Sequence, residues 1–278
     1  MSLSASTSPY EHILVSRDGP VATIAFNRAR VLNAFHNELM HETIAAVAEL
    51  NADEATEAII VRGEGRAFSA GFDLKAAAER KMEDVQDWEA QMGLQFDFIM
   101  QFWHSPKPTI AAVHGFCLAG AFELSLACDM TVAAEGTRFG EPEVRFGTGI
   151  IAMLLPWVSG PKAAKELLLT GNDQVSAADA LRLGIVNHVV PEDQVLPKAQ
   201  ALAMATAKAS TRSVRMTKQA INRSYEAMGL SPALKTALDI DVLLNAAGSP
   251  EKKEFARIRS EQGLKAAIAW RDKRFAEG

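Results

Sequence analysis

The sequence predicts an α/β body to about residue 195 followed by an all-helical region from 196 to 278. Three observations carry that reading. Short β-branched runs alternate with helical patterns through the first two-thirds of the chain. From Glu192 onward every pattern is helical, with breaks near Thr211, Ser231, Ser249 and Gly263. No fixed-period repeat and no low-complexity linker interrupts either part.

The first strands form a hairpin, "HILVSR", an Asp18-Gly19 turn and "VATIAFN". Met40, Ile44, Val47 and Leu50 then recur at helical spacing. "AIIVRG" (58–63) is a short buried strand, and the small-residue loop "EGRAFSAGFD" follows it. A long helical stretch over roughly 75–104 carries Trp88, Met92, Phe96 and Trp103. "PTIAAVHG" (108–115) and "DMTVAAEG" (129–136) are two more strands, with a helix between them. "KAAKELLLTG" and "SAADALRLG" read as helices stopped by glycine, and "IVNHVV" as a final strand.

Composition removes several classes of function. At 48% hydrophobic and 23% charged residues, the 278-residue chain can bury a large core. A net charge of −5 gives no global attraction to nucleic acid or to an anionic membrane. The longest apolar window, "TIAAVHGFCLAGAFELSLACD", is broken by His114, Gly115, Gly120 and Glu123, which argues against a membrane span. "MSLSASTSPYEHILV" lacks the basic start and long apolar core of a secretory leader. Cys117 and Cys128 therefore read as reduced core thiols of a cytoplasmic protein. The six histidines show no metal spacing, and no metal is expected.

Two loops and two glutamates carry the chemistry. "SAGFD" (69–73) and "CLAGAFE" (117–123) both place small residues where a strand gives way to a helix. The free N–H groups of such a helix start can hold an oxyanion, and two from separate loops make an oxyanion hole. The same glycines can also simply permit tight turns. Glu123 lies in the middle of an apolar run, where an unpaired charge costs several kcal/mol, about the scale for burying an ion. Ser69 sits in "AFSAG" rather than G-x-S-x-G, so it does not read as a nucleophile.

The chain resembles the crotonase (enoyl-CoA hydratase/isomerase) superfamily over nearly its whole length. The matching pieces are "ATIAFNRARVLNAF", "AFSAGFDLK", "PTIAAVHGFCLAGAFELSLACDMTVAAE", "FGEPEVRFG" and "LLLTGNDQVSAADALRLGIVNHVV". The resemblance implies a spiral of β-β-α units over 1–195 holding a CoA-thioester site. It implies a helical region over 196–278 that caps the site and builds a homotrimer or a dimer of trimers.

The resemblance also implies roles. The N–H groups of Phe72 and Gly120 would bind the thioester oxygen and stabilise the enolate. Glu123, one helical turn past Gly120, and Glu143 of "Gly140-Glu141-Pro142-Glu143" would be the acid–base pair. Arg30, Ala34, Ala70, Phe72, Asp73 and Leu74 would contact the CoA. The expected activity is hydration of an enoyl-CoA in fatty acid metabolism. Coenzyme A would enter as part of the substrate, with no separate cofactor, nucleic acid or membrane involved.

Alternatives on the same scaffold are an enoyl-CoA isomerase, an acyl-CoA or β-diketone hydrolase, or a non-catalytic acyl-CoA-binding protein. After Glu143 the chain departs from the glycine-rich segment usual in hydratases. Ile150, Ile151, Met153 and Leu154 stand there instead, and they are expected to narrow the pocket.

Overall fold

A computed structural model of the chain describes residues 10–276. The start of the segment read above for a leader, and the last two residues of the helical region, lie outside it. Among the described residues, nine strands form two sheets: β1 (Ile13–Asp18), β2 (Val21–Phe26), β3 (Ala58–Gly63), β4 (Thr109–Val113), β5 (Phe116–Leu118), β6 (Met130–Ala134), β7 (Arg138–Gly140), β8 (Val175–Ser176) and β9 (His188–Val190). The larger sheet runs β1-β2-β3-β4-β6-β9, and only the β1–β2 pair is antiparallel. The smaller runs β5-β7-β8.

The helices are α1 (Asn37–Ala52), α2 (Leu74–Glu79), α3 (Val85–His104), α4 (Gly120–Ala127), α5 (Glu143–Phe146), α6 (Leu155–Thr170), α7 (Ala177–Arg182), α8 (Val195–Lys208), α9 (Thr211–Ala227), α10 (Leu230–Ala247), α11 (Pro250–Gln262) and α12 (Leu264–Ala276). None of them is long and apolar enough to cross a membrane.

Successive strand residues point to opposite faces of a sheet, and the large sheet sorts its core that way. Ile24, Ile59, Val61, Ala111, Val113 and Ala133 face the main core, which α1, α3 and α4 complete. Val21, Ala58, Ile60, Ile110, Ala112 and Val132 face the other side, where Val195, Ala199 and Ala203 of α8 cover them. The region that the sequence begins at 196 therefore starts by closing the sheet's second face.

Three local expectations change. The stretch 75–104 is two helices, because Asp84 accepts the Asp87 N–H at 3.0 Å and starts α3 anew. The final strand is confined to His188–Val190. Three short strands not foreseen, β5, β7 and β8, make the small sheet, where β5 precedes α4 and pairs in parallel with β7. Runs of two or three residues are too short for periodicity to reveal. Cys117 and Cys128 are both free and buried.

Candidate active site

The small sheet brings the two loops together. Ser69 bridges to Cys117 in parallel, and Phe35 bridges to Phe72. Ser69 Oγ accepts the Gly71 N–H at 3.1 Å and donates to Asn33 O at 2.9 Å, so this serine staples the first loop. Gly71, at φ +87°, lies so close to the second loop that a Cβ there would stand 2.5 Å from Ala119 Cβ and 3.3 Å from Gly120 N. Ala119 itself holds φ +58°, ψ −137°, a backbone conformation L residues rarely adopt. Its N–H donates to Gly140 O at 2.8 Å, tying the second loop to the end of β7.

The loop hydrogen bonds engage the neighbouring N–H groups. Ala70 donates to Leu32 O at 3.0 Å, Asp73 to Phe35 O at 2.9 Å and Glu123 to Ala119 O at 3.1 Å. Among the described residues, no such bond engages the N–H of Phe72 or of Gly120. The first N–H of a helix has no intrahelical acceptor, so Gly120 presents a free donor at the start of α4.

All eight residues of α4 are buried. Glu123 is 1% exposed, so it does not reach water by helix phase. Its carboxyl is pushed well above the usual range by burial and by Glu143, while the backbone N–H groups of Ala152 and Ile151 oppose the shift. Glu143 opens α5, and its Oε2 is closed to solvent without a donor. Burial raises it to about 7 against the pull of a hydrogen bond from Glu141.

Glu141 was not singled out from the sequence. It is 1% exposed and held well above the usual range by burial, then by Glu143 and Glu123. Two carboxyl groups can hydrogen-bond only if one keeps its proton, and Glu141 is the one that keeps it. Asp241, delivered by α10, is a further buried acid, raised to about 6 by burial. Sequence spacing offered no signal for it, since about a hundred residues separate it from the others. Among the described residues, no group of His, Cys, Asp and Glu is arranged to hold a metal.

The expected CoA contacts fall into two groups. Ala34, Ala70, Phe72, Asp73 and Leu74 share one patch, because the Phe35 N–H donates to Gly71 O at 2.8 Å and the Asp73 N–H to Phe35 O. Arg28, not foreseen, pins the patch by bonding Ala34 O and pairing with Asp73 at 3.0 Å. Arg259 of α11 donates to Leu74 O at 3.1 Å. Arg30 stands apart on an exposed turn, with no partner among the described residues. Ile150, Ile151 and Leu154 are buried in the main core, and Met153 packs partly buried against it. A cavity of about 390 Å³ near Trp103, Trp157, Lys218 and Tyr225 contains none of the candidate site residues.

Paired carboxyls, each with an oxygen closed to solvent, beside two apposed glycine loops form a site suited to moving protons next to a bound carbonyl. The enoyl-CoA hydratase/isomerase family model matches residues 16–257, and the chain belongs to that family. A solved enoyl-CoA hydratase/isomerase from Xanthobacter autotrophicus Py2 is 48% identical, with a TM-score of 0.94 over 95% of this chain and 98% of that one. A "probable enoyl-CoA hydratase" of Mycobacterium bovis is 37% identical over 78% of this chain and 83% of its own length. A crotonyl-CoA hydratase of Syntrophomonas wolfei is 34% identical over 78% and 84%. The mixed α/β architecture is that of this solved Xanthobacter neighbour.

Proposed function

We propose that the protein is an enoyl-CoA hydratase, adding water across the 2,3 double bond of an acyl-CoA thioester. One observation carries the reading: buried Glu123 of α4 is raised in part by the charge of Glu143, and each of the two carboxyls has an oxygen closed to solvent. The N–H groups of Phe72 and Gly120 receive the thioester oxygen and stabilise the enolate as charge leaves the α-carbon. Repulsion between the glutamates leaves a proton on one of them near neutral pH. The ionised partner takes a proton from water, and the protonated one supplies the α-carbon.

The patch around Ala34, Ala70, Asp73 and Leu74 receives the CoA, with exposed Arg30 as a cation for its phosphates. Coenzyme A comes with the substrate, and no further cofactor enters the scheme. Exposed Met216 and Ile221 on α9, Met228 just past its end, and Ile240, Leu243 and Leu244 on α10 support self-association as a trimer or dimer of trimers. The reduced, buried cysteines are consistent with a cytoplasmic protein.

A second reading, double-bond isomerisation, is favoured by the closure of both glutamate Oε2 atoms to solvent. It uses the same enolate but moves a proton from one carbon to another without water. Incubating the protein with a panel of 2-enoyl- and 3-enoyl-CoA thioesters, with products identified by mass, separates the two. A gain of 18 mass units supports hydration. Shifted double bonds at unchanged mass support isomerisation, and release of free CoA supports hydrolysis. No turnover across the panel overturns the enzymatic reading in favour of a binding protein.

A further inference from the structure

Helix α10 reaches the candidate site through Asp241, which is 2% exposed. Asp241 Oδ1 accepts the Gly149 N–H at 2.8 Å and an Asn245 Nδ2 hydrogen at 2.6 Å. A Cβ at 149 would stand 2.5 Å from that oxygen, so any side chain there would have to displace Asp241. Asn245 Oδ1 accepts in turn from Thr148 Oγ at 3.1 Å and from Lys252 Nζ at 2.7 Å. Lys252 is itself fixed 4.0 Å from the Trp88 ring centre. The loop after α5 is thus held at two successive residues, 148 and 149, by side chains of α10.

Two residues further along, the N–H groups of Ile151 and Ala152 favour the charged form of Glu123. A short loop clamped at one end by a buried bond transmits that register to its next peptide units. We propose that Asp241 is a positioning residue for Glu123. By holding the Gly149 N–H, it fixes the turn that aims the Ile151 and Ala152 N–H groups at the Glu123 carboxyl. The proposal rests on the reading of Glu123 as a proton-transfer group. It adds that the C-terminal region sets the geometry of the site as well as covering it.

A neutral amide could hold Gly149 equally well, and a buried carboxylate is a costly way to do so. The charge therefore has its own effect. Asp241 Oδ2 is buried without a donor, and its charge acts on both Glu123 and Glu143. The groups facing Glu123 are Glu143 from α5, Asp241 from α10 and Glu141 just before α5. Asp241 faces Lys252 from α11. Hydrogen bond and charge are separable by substitution: Asp241→Asn removes only the charge, whereas Asp241→Ala removes both.

The test compares these two variants with the wild type by three measurements. Glu123 ionisation is followed by carbon-13 NMR of labelled glutamate carboxyls, assigned with Glu123→Gln. Amide hydrogen exchange is followed at Gly149, Ile151 and Ala152. Hydration of a four-carbon 2-enoyl-CoA gives the rate. In Asp241→Asn, Glu123 should titrate below its wild-type value, with the three amides still protected. In Asp241→Ala, Glu123 should titrate above its value in Asp241→Asn, the amides should exchange faster, and the rate should fall by about 100-fold relative to Asp241→Asn, the scale for a displaced catalytic group.

Identical Glu123 titration and amide exchange in the two variants overturns the proposal. If the wild type hydrates nothing, the functional reading fails, but titration and exchange still decide the role of Asp241. Should Asp241→Ala not fold, Asp241→Leu fills the volume without an acceptor and is held to the same comparison.

Discussion

Phe72 packs against Gly120 so closely that a Cβ at position 120 would stand 2.6 Å from the ring atom Cζ. The Phe72 ring thus packs directly on the residue whose N–H is proposed as the second donor of the oxyanion hole. That contact depends on position 120 having no side chain.

Gly120→Ala should push the Phe72 ring aside and spread the two donors. Loss of one donor typically costs on the order of 100- to 1,000-fold in rate, so turnover should fall on that scale with circular dichroism unchanged. Adding Phe72→Ala should relieve the clash and recover part of the loss. A folded Gly120→Ala enzyme with full activity would place the hole elsewhere.

Glu123→Gln and Glu143→Gln should each lose about 100-fold or more in turnover, the usual range for acid–base catalysis. Because both act on one substrate, the double variant should lose much less than the product of the single losses. Binding of a saturated acyl-CoA, measured by calorimetry, should survive in all three, since the proposed thioester donors are backbone groups. Full activity of Glu123→Gln beside a dead Glu143→Gln would point to a single base and to isomerisation.

Glu141 is expected to act through Glu143. Its carboxyl proton stabilises the charged form of Glu143, so Glu141→Leu should raise the Glu143 pKa and move the acid limb of kcat/KM to higher pH. Glu141→Gln keeps an N–H donor at that place and should leave the limb close to wild type. Equal pH profiles for the two variants would show that the hydrogen bond does not matter to the reaction.

Stability should carry the same signature. Glu141, Glu143 and Asp241 all hold their protons more tightly in the folded state, the last two up to about 7 and about 6. Their contribution to folding is therefore fully present below the unfolded values near pH 4 and is lost as pH rises through the folded ones. Relative to Glu141→Gln, the wild type should lose melting temperature between pH 5 and pH 8 in scanning calorimetry. A constant difference across that range would mean that Glu141 ionises as readily folded as unfolded.

Just past the C-terminal end of α4, Lys218 of α9 bonds Asp129 at 2.7 Å, Lys107 O at 3.0 Å and Phe102 O at 3.2 Å. Lys218→Met leaves Asp129, whose side chain is 22% exposed, without its cation and should cost up to about 3 kcal/mol in urea unfolding, the lower end for breaking a buried pair. Lys218→Met with Asp129→Asn should cost less than the single change. A single variant as stable as wild type would mean that the pair contributes only geometry.

The sequence by itself determined the strands of the large sheet, most helix breaks and the pairing of two small-residue loops with Glu123. Those features are local. β-Branched runs, glycine stops and a lone acid in an apolar run can be read within a few residues. Helix α4 is buried on every side, so no hydrophobic stripe could orient it, and only the fold showed which way Glu123 points. β5 and the division of α2 from α3 escaped because three residues have no period and one capping aspartate is a weak signal. Glu141 escaped because its neighbour matched the expected motif, and its meaning comes from burial against Glu143 and Glu123 rather than from spacing. Arg28 and Asp241 were decided by tertiary structure alone. Each acts across 45 or more positions of chain, on Asp73 and on Gly149. Contacts of that range depend on how whole elements pack, which local patterns do not encode.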